Sequence, residues 1–240
     1  MSSMLESSDV SLEAHFLGQI ELERCVALQQ RLVDEAATRG NGQISLLLCE
    51  HPQLITVGRS GSPGEIQYGA GPLRHGQIDV RWVKRGGGCL VHGPGQLAVY
   101  PIVPLADHGW TVGEYLDRLQ TGIQQALTAL KIRTETRPPE HGLWGRTGQL
   151  VALGTAVSRW IAYHGAFVNV CPAMGMFRLI DADPLGDARM GTLVAERGQR
   201  VRMTSVRAEL VRQLTDAFGC RRSHLYTGHP WLARSQAFVH

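Results

Sequence analysis

The sequence of 240 residues predicts an α+β fold, with a mixed β-sheet flanked by helices. Three segments repeat apolar residues at helical spacing, and several shorter apolar runs have the length of strands. The two kinds of segment do not alternate regularly, which argues against a doubly wound parallel sheet. The composition, 43% hydrophobic and 19% charged, is typical of a globular chain with a sizeable core.

The three helices are predicted from apolar periodicity and from signals at their ends. The first covers residues 21–39 and stops at Gly40. The second begins with a capping-box pattern at Thr111. The third covers about residues 204–218 and is closed by a glycine. Each helix therefore has one apolar face available for packing.

Short apolar runs predict the strands. These runs are residues 14–17, 44–49, 78–83, 97–103, 150–153 and 161–170. Residues 60–74 and 172–191 lack periodicity and are predicted to be long loops. Residues 1–10 are predicted to be a flexible N-terminus, and residues 11–240 a single domain.

The stretch from Lys84 to Ile102 holds five glycines, with Arg85 before them and His92 between them. Glycine loses more conformational entropy than other residues, so three in a row at 86–88 need a backbone reason. That reason is a positive φ angle or a close approach of the main chain to a ligand. Arg85 and the N–H groups of such a loop would suit a carbonyl or an anion. The open alternative is a glycine-rich hairpin with an ordinary surface arginine.

Composition also limits location and partners. The net charge of +3 is spread along the chain, which argues against nucleic acid as a partner. Five cysteines without a C-x-x-C pair or a secretory leader indicate a reducing compartment, and we expect the cytoplasm. No apolar run reaches the ~20 residues of a membrane helix. No cofactor and no metal site are predicted, because the ten histidines are dispersed.

One longer motif indicates a family. The string Arg85-Gly-Gly-x-x-x-x-His92-Gly-Pro-Gly-Gln96 resembles the signature of the lipoyl(octanoyl) transferases, which share a fold with lipoate and biotin protein ligases. Supporting motifs follow in the same order and are Glu50-His-Pro, Thr56-x-Gly58-Arg59, Gly142-Leu-Trp144, Gly148, Leu153-Gly154, His164-Gly165 and Asn169. The likeness covers roughly residues 14 to 220 and implies the catalytic-domain fold of that ligase and transferase group.

The resemblance implies a function and a pocket. Members of the family move an octanoyl group from acyl carrier protein to a lysine of a lipoyl domain, through a cysteine acyl-thioester with a lysine beside it. The implied partners are therefore an octanoyl- or lipoyl-type acyl group, acyl carrier protein and lipoyl domains. By the same likeness, the acyl pocket is formed by Arg85, Gly86, Gly87, Gly88, Cys89, Leu90, Val91, His92, Ala152, Leu153, Gly154, His164, Gly165, Ala166 and Phe167.

The sequence departs from the family at both chemical positions. The family's lysine aligns with Gln149, and its cysteine aligns with Asp183. Glutamine cannot supply the positive charge that stabilises a thiolate or an oxyanion, and aspartate is a far poorer acyl nucleophile than a thiolate. The ordinary covalent route is therefore not expected. Two function classes follow, namely an acyltransferase that acts by another route and a non-catalytic homologue that binds an acyl group or a lipoyl domain.

Other residues could replace the missing groups. Cys89 or Cys171 is a candidate for a relocated nucleophile, although buried structural cysteine is the alternative. Cys89 and His92 are three apart on a strand and should face opposite sides, so they do not predict a dyad. Lys84 could replace the cation, or it could be an exposed residue at the end of a strand. The acidic run at 181–187 lacks the ligands of a calcium loop and is interpreted as a solvated turn.

Overall fold

The computed structural model describes residues 10–67, 77–138, 140–180 and 190–233, and this part of the chain forms two sheets flanked by helices. The strands are β1 (Ser11–Gln19), β2 (Ile44–Glu50), β3 (Leu54–Val57), β4 (Asp79–Trp82), β5 (Cys89–His92), β6 (Gln96–Pro104), β7 (Glu135–Arg137), β8 (Glu140–Gly145), β9 (Gly148–Ser158), β10 (Ile161–Asn169) and β11 (Arg222–Thr227). The helices are α1 (Leu22–Arg39), α2 (Leu105–His108), α3 (Val112–Ala129), α4 (Leu193–Arg197), α5 (Met203–Ala217) and α6 (Pro230–Ala233).

The larger sheet has the strand order β11-β1-β2-β6-β10-β9-β8-β7. Strand β1 is parallel to both β11 and β2, whereas the other neighbours in this sheet are antiparallel. The smaller sheet has the order β4-β3-β5, with β4 parallel and β5 antiparallel to β3. The predicted α+β class with a mixed sheet is confirmed.

Helices cover both faces of the larger sheet. Helix α1 packs on β6 and β10 through a core that includes Cys25, Leu28 and Tyr100. Helices α3 and α5 pack on each other and cover a second core. In the described residues, no helix is long and apolar enough to cross a membrane.

The three predicted helices are confirmed to within one or two residues, because their end signals form as expected. Gly40 ends α1 in the left-handed conformation, with φ of 58°. At the start of α3, Thr111 Oγ1 accepts from Glu114 N at 3.2 Å, and the Glu114 carboxylate accepts from Thr111 N at 2.7 Å. The capping box therefore sets the first turn.

Several irregular regions differ from the sequence prediction. The predicted loop 172–191 contains a 3₁₀ turn at Met174–Leu179, because three of its apolar side chains are buried in a third core. The hairpin of β7 and β8 and the edge strand β11 were not predicted, since they are short and lack a continuous apolar run. Most of the predicted flexible N-terminus lies outside the described residues.

Candidate functional site

A cavity of about 640 Å³ lies between the glycine stretch and strand β9. This volume is within the range of small-molecule sites, roughly 300–1,000 Å³. One wall consists of residues 85–91 and the opposite wall of Gln149 and residues 152–157. The remaining lining residues are Arg59, Glu65, Val112, Leu116, His141, Trp144, Phe177, Ile180 and Met190.

The glycine loop, residues 86–88, is held by main-chain hydrogen bonds on two sides. Gly86 N donates to Thr155 O of β9 at 2.9 Å, and Gly58 N donates to Gly88 O at 3.1 Å. Gly87 has a φ of +81°, a conformation that side-chain-bearing residues rarely adopt. A Cβ atom at Gly154 would lie 2.9 Å from Gly86 O, so the loop can approach β9 this closely only over a glycine. Of the two backbone reasons that we expected, the positive φ angle is confirmed at Gly87, and close approach to a ligand stays a prediction.

Arg85 is a buried cation without a carboxylate partner among the described residues. It is 1% exposed, so the alternative of a surface arginine is wrong. Its Nη1 donates to Gly86 O and Gly88 O, and its Nη2 donates to Thr56 O and Thr56 Oγ1. Its Nε has no acceptor within the described part of the chain. Burial lowers the pKa of Arg85 to about 10, which leaves the guanidinium protonated at neutral pH.

A buried hydrogen-bond chain starts at Thr56, which Arg85 holds, and runs beneath the cavity. Thr56 Oγ1 donates to His92 Nε2 at 2.7 Å, and His92 Nδ1 donates to Gln96 Oε1 at 2.8 Å. Gln96 Nε2 donates to Asn169 Oδ1 at 3.0 Å. The direction is fixed by Gln96, because its Nε2 donates to Val91 O and Asn169 Oδ1, so that its Oε1 can only accept and His92 Nδ1 carries the proton. His92 is therefore the neutral Nδ1–H tautomer, and burial holds its pKa well below the usual range.

The chain of hydrogen bonds ends on the backbone of Gln149. Asn169 Nδ2 donates to Gln149 O at 3.3 Å, and Gly191 N donates to the same oxygen at 3.0 Å. Gln149 also forms an isolated parallel bridge with Met190. Gln149 and Met190 both line the cavity. Asp183 lies outside the described residues, and both Gln149 and Asp183 stay predictions as chemical positions.

Five of the predicted pocket residues are not among those that line the cavity, namely His92, His164, Gly165, Ala166 and Phe167. These five residues lie behind the residues that line the cavity. Gly165, Ala166 and Phe167 pair with Gly154, Leu153 and Ala152 of β9, in that order. The Phe167 ring lies 5.9 Å from Arg85 Cζ and 4.5 Å from the His92 ring. Their part in acyl binding stays a prediction.

His164 has an unusual backbone conformation for a residue inside a strand. Its φ is +56°, its side chain is 3% exposed, and its N–H donates to Gln29 Oε1 at 2.9 Å. Burial, followed by the charge of Arg85, lowers its pKa to about 4. A positive φ at a histidine costs roughly 1–3 kcal/mol and persists only where the surroundings impose it. His164 is thus neutral and fixed on the strand next to β9.

The two candidate thiols do not meet the needs of a nucleophile. Cys89 lines the cavity, but burial and the Glu65 carboxylate raise its pKa to about 11. Its Sγ donates to Ser62 O, whereas His92 bonds Thr56 and Gln96, so the two side chains form no dyad, as expected. Cys171 is exposed and is not a lining residue.

Lys84 is exposed and does not line the cavity, whereas Arg59 does. Arg59 stands in the motif Thr56-x-Gly58-Arg59, which predicts only a strand and a turn at this position. Glu65 was missed as well, although it lies beside the loop and accepts from Cys89 N at 3.2 Å. Its only sequence signal was the local Ser62-x-x-Glu capping pattern.

Comparison with solved structures identifies the fold. The fold is similar to lipoate-protein ligase A bound with ATP, with a TM-score of 0.72 at 14% identity over 95% of this chain and 93% of that chain. It is also similar to Ta0514 from T. acidophilum, a putative lipoate protein ligase with bound lipoic acid, with a TM-score of 0.70 at 15% identity over 95% and 94%. The fold is therefore that of these lipoate protein ligase structures.

Sequence comparison then gives the family. The family model "Lipoyl protein ligase A/B catalytic domain" matches residues 22–215, so this chain belongs to that family. It is 32% identical to an octanoyltransferase of Geotalea uraniireducens over 81% of this chain and 87% of the relative. It is 33% identical to an octanoyltransferase of Chloroflexus aurantiacus over 87% and 94%. The family suggested by the sequence motif is confirmed.

Proposed function

We propose that this chain binds an octanoyl- or lipoyl-type acyl group in the cavity, as a member of the protein lipoylation machinery that lacks the covalent cysteine route. The observation that supports the proposal is the cavity itself, which is lined by the glycine loop and by Gln149, the residue that the sequence motif aligns with the family's lysine. Acyl carrier protein and lipoyl domains are the partners that would deliver or receive the acyl group. The cytoplasm is the expected location.

The electrostatics of the cavity suit the polar end of an acyl group. The lining residues Arg59 and Arg85 are cations, and Arg85 has no carboxylate partner in the described part of the chain. A carbonyl or carboxylate oxygen near this wall would be stabilised by a charge that water screens weakly. The apolar lining residues Leu90, Leu153 and Phe177 would contact the hydrocarbon tail.

The same geometry argues against acyl transfer through a thiol. Cys89 is the lining cysteine of the described residues, and its raised pKa keeps the sulfur protonated at neutral pH. Gln149 offers no positive charge to lower that pKa or to stabilise a tetrahedral oxyanion. We therefore assign the chain to binding rather than to covalent transfer, with the direct-transfer acyltransferase as the competing outcome.

The test is an incubation with octanoyl-acyl carrier protein, with and without an apo lipoyl domain, read by intact mass. We expect no octanoylated lipoyl domain above the no-protein control, while an active octanoyltransferase run alongside modifies it. We also expect complex formation with octanoyl-acyl carrier protein that Leu153→Trp, which fills the cavity, weakens at least about tenfold. Octanoylation by the wild-type chain would refute the binding assignment.

A double reversion is the matched gain-of-function control. Gln149→Lys with Asp183→Cys restores the two residue types that the family uses. We expect octanoyl transfer at least roughly a hundredfold above wild type, because nucleophile and cation act as a unit and neither works alone. Each single variant should stay near wild type. Failure of the double variant would show that the cavity does not hold the acyl group in a reactive position.

A further inference from the structure

A second group of reactive side chains lies in the core beneath helix α1, away from the cavity. Cys25 belongs to α1, Cys49 to β2, and His51 follows β2. Their exposed fractions are 0%, 0% and 2%. Cys25 Sγ, Cys49 Sγ and a His51 ring nitrogen all lie within 4.8 Å of one another. None of the three residues lines the cavity, so the family's chemistry does not account for them.

The imidazole of His51 is oriented as in a metal-binding histidine. Its Nδ1 lies 2.7 Å from Ile20 O, and only an N–H can bond to a carbonyl, so Nδ1 carries the proton. The Nε2 lone pair then points toward Cys49 Sγ at 3.8 Å and toward the Tyr100 hydroxyl at 2.8 Å. A backbone carbonyl on the second ring nitrogen is the usual support of a histidine ligand.

Two of the three separations between the donor atoms are close to those of a tetrahedral zinc site. Zn–S and Zn–N bonds of about 2.3 and 2.0 Å place two sulfurs about 3.8 Å apart, and a sulfur and a nitrogen about 3.6 Å apart. The observed separations are 3.9 Å between the two sulfurs and 3.8 Å between Cys49 Sγ and His51 Nε2. The Tyr100 hydroxyl faces the remaining corner. Shifts of a few tenths of an ångström in these side chains would bring the two separations to the values expected around a zinc ion.

The charge balance also fits a divalent cation. On binding, two thiol protons would leave, and the two thiolates would cancel the two positive charges of Zn²⁺. A fully buried site therefore gains no net charge. Gln29 Nε2, 3.8 Å from Cys25 Sγ, would donate to one thiolate.

We propose that Cys25, Cys49 and His51 form a buried Zn²⁺ site that fastens helix α1 to strand β2, with the Tyr100 hydroxyl at the fourth position. Thiolate and imidazole ligands select zinc over magnesium or calcium. When the ion binds, Nε2 of His51 exchanges its hydrogen bond from Tyr100 for the bond to zinc.

The test measures zinc in the full-length chain after refolding with one equivalent of Zn²⁺ under a thiol reductant, followed by desalting. We expect one zinc per chain by native mass spectrometry, with the mass of one zinc gained and two protons lost. Cys25→Ala and Cys49→Ala should each lower bound zinc at least tenfold. Cys220→Ala is the matched control, since Cys220 is a buried free thiol outside this group, and it should bind zinc like wild type. A zinc-free wild-type chain, or zinc retained by both cluster variants, would overturn the proposal.

Cobalt substitution gives a readout that does not depend on the variants folding. Wild-type chain refolded with Co²⁺ should show sulfur-to-cobalt charge-transfer absorption and the d–d bands of tetrahedral geometry. A cobalt spectrum without the charge-transfer band would rule out the two thiolates. Because the three ligands lie outside the acyl cavity, neither result depends on the acyl-transfer assays.

Discussion

The two walls of the cavity differ in what they retain. The glycine-loop wall keeps its motif residues, and Arg85 and the chain of hydrogen bonds from Thr56 to Asn169 support it from beneath. The β9 wall includes Gly154 and Gln149, and the proposed function takes Gln149 as the position of the family's lysine. The two walls meet where Asn169 bonds the backbone oxygen of Gln149. Under the proposed function the cavity keeps its shape while its chemical residues differ, because Asn169 and Gly191 bond the backbone oxygen of residue 149 and not its side chain.

The largest expected effect on the glycine-loop wall is the loss of stability when Arg85 is replaced. Arg85→Met removes donors from three backbone carbonyls and from Thr56 Oγ1, and we expect the free energy of unfolding to fall by roughly 3 kcal/mol or more. Urea denaturation measures the free energy of unfolding. Arg59→Met is the control, since Arg59 lines the same cavity but is exposed, and it should change that free energy by about 0.5 kcal/mol or less. Equal effects of the two variants would contradict the supporting role of Arg85.

Acid should destabilise the layer behind the glycine loop. His164 has a folded-state pKa of about 4, and burial also lowers the pKa values of His92 and His51. The unfolded chain therefore binds more protons than the folded chain below pH ~6.5. The stability that these neutral histidines contribute is fully present above that pH and is lost as the pH falls toward 4. His164 alone contributes about 3 kcal/mol of it.

Free energies of unfolding at pH 7, 5.5 and 4 measure this loss. His164→Asn should flatten the pH dependence, since asparagine accepts the positive φ of +56° at this position and has no titrating group. His224→Gln, at an exposed residue of β11, should leave the dependence unchanged. A pH profile identical in wild type and His164→Asn would show that folding does not lower the pKa of this histidine.

A smaller effect is expected where the two walls touch. In Gly154→Ala the new Cβ would lie 2.9 Å from Gly86 O and 3.0 Å from Arg85 Cδ. The loop must move away from β9, at a cost of roughly 1–3 kcal/mol, and binding of octanoyl-acyl carrier protein should weaken. Thermal unfolding and binding titration measure both changes. Gly175→Ala, where a Cβ would meet no atom within 4 Å, should change neither.

The sequence predicted the parts of this molecule that depend on local signals. Periodicity and caps located α1, α3 and α5, and the glycine motif located one wall of the cavity. What it could not predict depends on tertiary contacts. Cys25 and Cys49 are 24 residues apart without a metal-binding spacing, and only the packing of α1 on the sheet brings their sulfurs within 3.9 Å. The prediction that no metal site exists rested on spacing alone.

The sequence also could not predict which motif residues line the cavity and which lie behind the lining residues. Motif residues such as Leu153 and Phe167 look equivalent in sequence, yet Leu153 lines the cavity while Phe167 lies one strand further, against Arg85. The paired register of β9 and β10 decides which side chain reaches the cavity. Arg59 was not predicted as a pocket residue but lines the cavity, because hydrogen bonds from the backbone of residues 58–60 hold this segment against the glycine loop.

The smallest change in stability is expected at Gln149, in the wall formed by β9. Gln149→Lys should alter the free energy of unfolding by about 0.5 kcal/mol or less, because Asn169 and Gly191 both donate to the backbone oxygen at this position. Asn169→Leu should instead cost roughly 1–3 kcal/mol, since Gln96 then loses its buried acceptor. Urea denaturation of the two variants measures the contrast. A large fall in the free energy of unfolding in Gln149→Lys would contradict this expectation and would mean that the glutamine side chain itself stabilises the wall. A lysine at this position would then require the neighbouring residues of the cavity to rearrange.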